Sequence, residues 1–143
     1  MRVITLLLTT RNNPEQALGR RMANTVLIVD DDCATRIGLC ELLEEAGFEC
    51  TAAAGFHEAR AKLRTSPPDL LITDIRLDAY NGLQLVIARP QTMPAIVMSA
   101  FADPVLEAEA TRRGARFIQK PLNAGDLPGL VREMLGAVAR AET

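Results

Sequence analysis

The 143-residue chain is 48% hydrophobic and 24% charged, with 16 Lys and Arg against 18 Asp and Glu and a formal net charge of -2. That length suits a single core, and the composition excludes a disordered or collagen-like chain. The balanced charge excludes a basic nucleic-acid binder, and an aromatic content of 3% leaves no platform for stacking single-stranded bases.

At the N-terminus, MRVITLLLTT is an apolar run behind one arginine. It is shorter than the roughly 20 residues a membrane span needs, and the polar RNNPEQALGRR that follows holds no A-x-A cleavage site. Residues 1–23 are therefore expected to be an extension outside the fold, either disordered or a mis-assigned start with translation beginning at Met22. Residues 24–140 are expected to form the folded domain, and 141–143 a tail.

Val26–Val29 is a continuous apolar run rich in β-branched residues, the pattern of a parallel strand buried on both faces. Ala34–Ala46 reads as an amphipathic helix with Ile37, Cys40 and Leu43 at helical spacing, ended by Gly47. A second strand over Phe48–Ala53 and a second helix over Gly55–Arg64 follow, closed by Ser66-Pro67-Pro68. Leu70–Thr73 is the third strand, leading into a loop through Asn81-Gly82, and Leu83–Ala88 is a short helix stopped near Pro90. The remaining elements are a strand over Ala95–Met98, a helix over Pro104–Arg113, a strand over Arg116–Ile118 and a helix over Asp126–Ala139. Five strands alternating with five helices predict an α/β fold, a doubly wound parallel sheet covered on both faces.

Cys33, Cys40 and Cys50 are odd in number and lack CxxC spacing, and His57 is the sole histidine, which argues against a disulfide framework or a zinc site. They are expected to be small buried side chains in a reducing, cytoplasmic setting.

Ligands of open α/β sheets bind outside the carboxyl ends of the strands. In this chain those ends carry Asp30, Asp31 and Asp32 after the first strand, Asp74 after the third, Ser99 after the fourth and Lys120-Pro121 after the fifth. Asp32 is expected merely to cap the following helix. The other carboxylates repel one another and call for a cation; oxygen ligands without histidine or thiolate favour Mg²⁺. Asp74 is expected to stand exposed on the rim, where a carboxylate beside Mg²⁺ can act as a nucleophile toward a phosphoryl group. Ser99 and Lys120 can then bind the phosphoryl oxygens.

With these residues in place, the chain resembles a response-regulator receiver domain over about residues 24–139. The motifs that carry the likeness are VLIVDDD, LLITDIRLDAYNGLQL, IVMSA and GARFIQKPL. The resemblance implies a flavodoxin-like strand order of 2-1-3-4-5. It implies that Asp74 accepts a phosphoryl group from a sensor histidine kinase or phosphotransfer protein. It further implies that Asp30, Asp31, Asp74 and the backbone carbonyl of Arg76 hold Mg²⁺. Ser99 matches the switch hydroxyl, Lys120 the phosphoryl-pairing lysine, and Phe117 the aromatic switch position that turns inward when Ser99 moves. The Lys120-Pro121 bond resembles the family's cis peptide. By the same likeness, the surface of the fourth helix, fifth strand and fifth helix is where partners dock or a phosphorylation-dependent homodimer forms. Arg112, Arg113 and Arg116 could form ion pairs across it. The chain is expected to be a phosphoacceptor switch rather than an enzyme, without nucleic-acid or membrane contact of its own.

Three features depart from the pattern or tune it. Asp78 stands where many receivers carry proline, the third helix is about one turn short, and Arg76 and Phe101 flank the expected pocket. Two other readings compete: a docking module that works without phosphorylation, and a haloacid-dehalogenase-type phosphatase using Asp30 of Asp30-x-Asp32. The latter leaves Asp74 without a role. No helix-turn-helix, cyclase or kinase segment follows Ala139, so neither kinase nor output is legible.

Overall fold

A computed structural model describes residues 24–120 and 124–142. The expected extension over residues 1–23, the Lys120-Pro121 bond and Thr143 of the tail lie outside those residues. The chain runs β1 (Thr25–Val29), α1 (Cys33–Glu45), β2 (Glu49–Ala53), α2 (Phe56–Thr65) and β3 (Leu70–Asp74). It continues through β4 (Arg76–Leu77), β5 (Tyr80–Asn81), α3 (Gly82–Ala88), β6 (Ala95–Ser99) and α4 (Pro104–Arg112). It closes with β7 (Arg116–Gln119), a 3-10 turn (Ala124–Asp126) and α5 (Leu127–Glu142).

β1, β2, β3, β6 and β7 form one parallel sheet in the order β2-β1-β3-β6-β7, with Leu27 level with Leu71 and Thr73 level with Val97. This is the expected flavodoxin-like order. The central strands are continuous apolar runs because both faces are covered. One core lies under α1 and α5, around Val26, Ile28, Leu43, Ile72 and Val131. The other lies under α2, α3 and α4, around Leu27, Val29, Leu71, Leu85 and Val97.

Several expectations need correction. The segment after β3 is not a plain loop: Arg76 pairs with Asn81 and Leu77 with Tyr80 in a small antiparallel hairpin. Its turn sets Asp78 at φ 55°, a left-handed conformation that Asp tolerates and that a proline ring, locked near -65°, cannot adopt. The hairpin thus explains why this position departs from proline. Ile37 is 51% exposed, and α1 buries Leu39 and Leu43 instead. Nor are the cysteines buried: Cys33 is exposed and Cys40 and Cys50 are half-buried. The Cys50 thiol is nonetheless pushed up to about 12, chiefly by desolvation and then by neighbouring Cys40 and Glu44.

One buried charge sits at the sheet edge opposite the strand ends that carry the acids. Arg89, the C-cap of α3, is buried, and its guanidinium donates to the carbonyls of Val86 at 2.7 Å, Arg113 at 3.1 Å and Met93. It ties together the end of α3, the turn before β6 and the end of α4. Burial holds this guanidinium below its ordinary pKa.

Candidate functional site

Four parallel strands deliver their last residues to one rim, and backbone bonds keep those ends level. The Asp30 N–H donates to the Ala53 carbonyl at 3.2 Å, the Ile75 N–H to Met98 at 2.8 Å, and the Lys120 N–H to Ser99 at 2.6 Å. Asp30 is fully buried just past β1; its Oδ1 accepts from the Asp32 N–H at 2.9 Å. Asp32 turns away as the α1 cap, accepting from the Thr35 N–H at 2.9 Å and the Thr35 hydroxyl at 2.6 Å. That engagement lowers its pKa and removes it from the acidic group, which weakens the Asp30-x-Asp32 phosphatase reading.

Asp30, exposed Asp31 and Asp74 each offer a carboxylate oxygen within 4.8 Å of the others, the one such group among the described residues. Asp74 corrects the expectation of an exposed carboxylate: its side chain is only 12% exposed. Lys120 reaches across from the end of β7, with its Nζ 2.9 Å from Asp30 and 3.3 Å from Asp74. Desolvation pushes the Asp74 carboxyl up and the Asp30 charge adds to it, while the Lys120 charge and the Arg76 backbone N–H oppose. Burial would pull the Lys120 ammonium down, but its hydrogen bond to Asp30 and the charges of Asp74 and Asp30 outweigh it, and its pKa is raised. One ammonium cannot balance three carboxylates. The surplus negative charge, offered entirely by oxygen, fits a hard divalent cation that keeps part of its water shell.

The backbone beneath Asp74 is held without slack. The Thr73 hydroxyl donates to the Asp74 carbonyl at 2.9 Å, and the Gly82 N–H donates to the Ile75 carbonyl at 2.8 Å. A Cβ on Gly82 would stand 2.2 Å from the Asp74 carbonyl oxygen and 2.9 Å from the Thr73 hydroxyl. Only glycine fits there, so α3 begins in contact with the residue that ends β3. Asn81 and Gln84 complete the start of α3 with a reciprocal capping box.

Ser99 ends β6 and is nearly buried; its hydroxyl donates to the Phe101 carbonyl at 2.9 Å and accepts from the Phe101 N–H at 3.2 Å. The Phe101 ring is 62% exposed, with the Arg76 guanidinium 5.5 Å from its centre. Phe117 pairs with Val97 across β6 and β7 and is partly buried against the core under α2, α3 and α4. Arg112 and Arg113 both pair with Glu109, and Arg116 with Glu133 at 3.6 Å, so these arginines are engaged within the chain.

Arg36 escaped the sequence reading. Its guanidinium donates to the Asp30 carbonyl at 2.6 Å and anchors the turn that carries the acidic pair. A signal was available: a cation in the first turn of a helix opposes the helix dipole and needs another reason to be there.

A family model described as the response regulator receiver domain matches residues 26–132. The transcriptional regulatory protein FixJ of Azorhizobium caulinodans is 36% identical over 121 residues, covering 80% of this chain and 56% of FixJ. The DNA-binding transcriptional regulator NtrC of Salmonella typhimurium is 32% identical over 114 residues, 77% of this chain and 24% of NtrC. The chain thus spans about a quarter to about half the length of these relatives. Among solved structures, a CheY-like response regulator receiver domain protein from Methanospirillum hungatei superposes with a TM-score of 0.79 at 29% identity. That match covers 83% of this chain and 98% of the other.

Proposed function

The chain belongs to the response regulator receiver domain family of two-component systems, and on that premise we propose that it accepts a phosphoryl group on Asp74 from a sensor histidine kinase or phosphotransfer protein. The unit that does so spans residues 24–140 and works in the cytoplasm. A carboxylate oxygen of Asp74 attacks the phosphorus of a phosphohistidine; the P–O bond forms as the P–N bond breaks, and the departing imidazole nitrogen keeps the electron pair. Asp30, Asp31, Asp74 and the Arg76 carbonyl would hold Mg²⁺, which supplies charge neutralisation for the phosphoryl oxygens. The Lys120 ammonium, already between Asp30 and Asp74, pairs with one phosphoryl oxygen, and the Ser99 hydroxyl turns to donate to another. Phe117 then repacks, and the surface of α4, β7 and α5 changes to favour a homodimer. The chain is a switch whose chemistry is confined to its own phosphorylation and dephosphorylation.

The observation that carries this reading is the gathering of three carboxylate oxygens within 4.8 Å, two of them, on Asp30 and Asp74, bridged by Lys120 from the end of β7. Incubation with Mg²⁺ and a small phosphodonor should add the mass of one phosphoryl group, and Asp74→Asn should abolish the gain. A chain that gains nothing overturns the proposal and favours the docking module, and an Asp74→Asn variant that gains as much overturns it by placing the phosphoryl group on another residue. Sedimentation before and after phosphorylation reads the dimer.

A further inference from the structure

Phe101 presents a puzzle in cost. An aromatic ring 62% exposed contributes little by burial, and it belongs to neither core. The Arg76 guanidinium lies over the Phe101 ring, 5.5 Å from its centre. The backbone of the same residue closes a ring of two hydrogen bonds with the Ser99 hydroxyl, one donated and one accepted. In this arrangement the Ser99 proton goes to the Phe101 carbonyl. Donating it elsewhere gives up both of these bonds, so whatever steadies the turn at 99–101 favours the resting hydroxyl.

Resting on the phosphoacceptor reading, we propose that Arg76 and Phe101 form a latch that holds the Ser99 hydroxyl in its resting position, and that a phosphoryl group on Asp74 opens it by drawing the Arg76 guanidinium away. Arg76 lies two residues after Asp74, at the start of β4. Two partners then compete for one guanidinium. An exposed cation–π contact is weak, whereas a charge-assisted and often bidentate pair with phosphoryl oxygens is among the stronger hydrogen-bonded contacts. Once the guanidinium leaves, the Phe101 ring loses its support. The turn at 99–101 is free to move, and the hydroxyl with it. Arg76 and Phe101 are positioning residues here: they act through Ser99 and make no bond in the transfer itself.

The latch is read first without any donor, by amide hydrogen exchange at Phe101, whose N–H is bonded to the Ser99 hydroxyl. Arg76→Gln and Phe101→Leu should each speed exchange there about two- to fivefold, the range an exposed cation–π contact supports. Phe101→Trp, which keeps an aromatic face, should exchange as wild type does. Unchanged exchange in Arg76→Gln, or an equal rise at the core amides of Leu43 and Ile72, would overturn the latch.

The second arm titrates beryllofluoride with Mg²⁺ as a phosphoryl mimic on wild type, Arg76→Gln, Phe101→Leu and the double variant. The effects of the two substitutions on the half-conversion concentration should deviate from multiplicativity by about two- to fivefold. Independent effects would refute the coupling. If wild type takes up no beryllofluoride, the phosphoacceptor reading and the release step fall together, while the donor-free exchange still decides whether the pair restrains the turn.

Discussion

The two ends of the sheet bury charge in opposite ways. At the edge before β6, the Arg89 guanidinium is surrounded by carbonyls from α3, the following turn and the end of α4, so its donors meet fixed acceptors. At the rim, Asp30 and Asp74 share one ammonium with Asp31 close by, and no arrangement of these groups balances the charge. Burying charge is costly at both ends. Where the backbone supplies the compensation, the result is a rigid tie. Where it is left incomplete, the site responds to what arrives from solution. α3 joins the two regimes, starting against the Asp74 carbonyl at Gly82 and ending at Arg89.

The sharpest break of this contrast removes each cation in turn. Arg89→Ala leaves buried carbonyls of three segments without their donor, and should destabilise the fold by about 3–4 kcal/mol in chemical denaturation. Adding Mg²⁺ should return none of that loss. Lys120→Met should cost less, about 2 kcal/mol in EDTA, because that lysine is partly exposed. Millimolar Mg²⁺ should recover most of the difference. Equal recovery of both variants, or of neither, would erase the distinction between a tie and a responsive site.

A smaller effect sharpens it. The Asp74 carboxyl is raised above its unfolded value, chiefly by desolvation. Its contribution to stability is therefore present below the ordinary aspartate range and lost as pH rises through the folded pKa. In EDTA, Asp74→Asn should melt a few degrees above wild type at neutral pH, and the gap should close on acidification below about pH 4. A variant that melts below wild type at neutral pH would mean that the Lys120 pair outweighs desolvation.

The rim was legible in the sequence because parallel strands buried on both faces read as unbroken apolar runs, and the residue that breaks each run is the one at the rim. VLIV, LLIT and AIVM point directly at Asp30, Asp74 and Ser99. The opposite edge was not legible. Arg89 sits in a turn-rich ARPQTMP stretch that reads as an ordinary loop, and one of its acceptors, Arg113, is 24 residues away. Two-residue strands such as β4 and β5 are too short to show a period of two. Arg76 and Phe101 were expected to flank the pocket, but the contact between them, from β4 to the turn after β6, leaves no trace in the sequence pattern. Ile37 misled because an apolar residue at helical spacing was counted toward the core, whereas the buried stripe of α1 runs through Leu39 and Leu43.

The contact at Gly82 has a bearing on genetics. With a Cβ there forced to 2.2 Å from the Asp74 carbonyl oxygen, any side chain at this codon must displace the backbone that carries Asp74, the proposed phosphoacceptor. In a mutational scan scored by signalling output, position 82 would rank beside Asp74 although it offers no side chain to the reaction. Separating such positions from true reactive ones requires scoring abundance alongside output. Asp74→Asn should keep its abundance and lose its output, whereas substitutions of Gly82 should lose both.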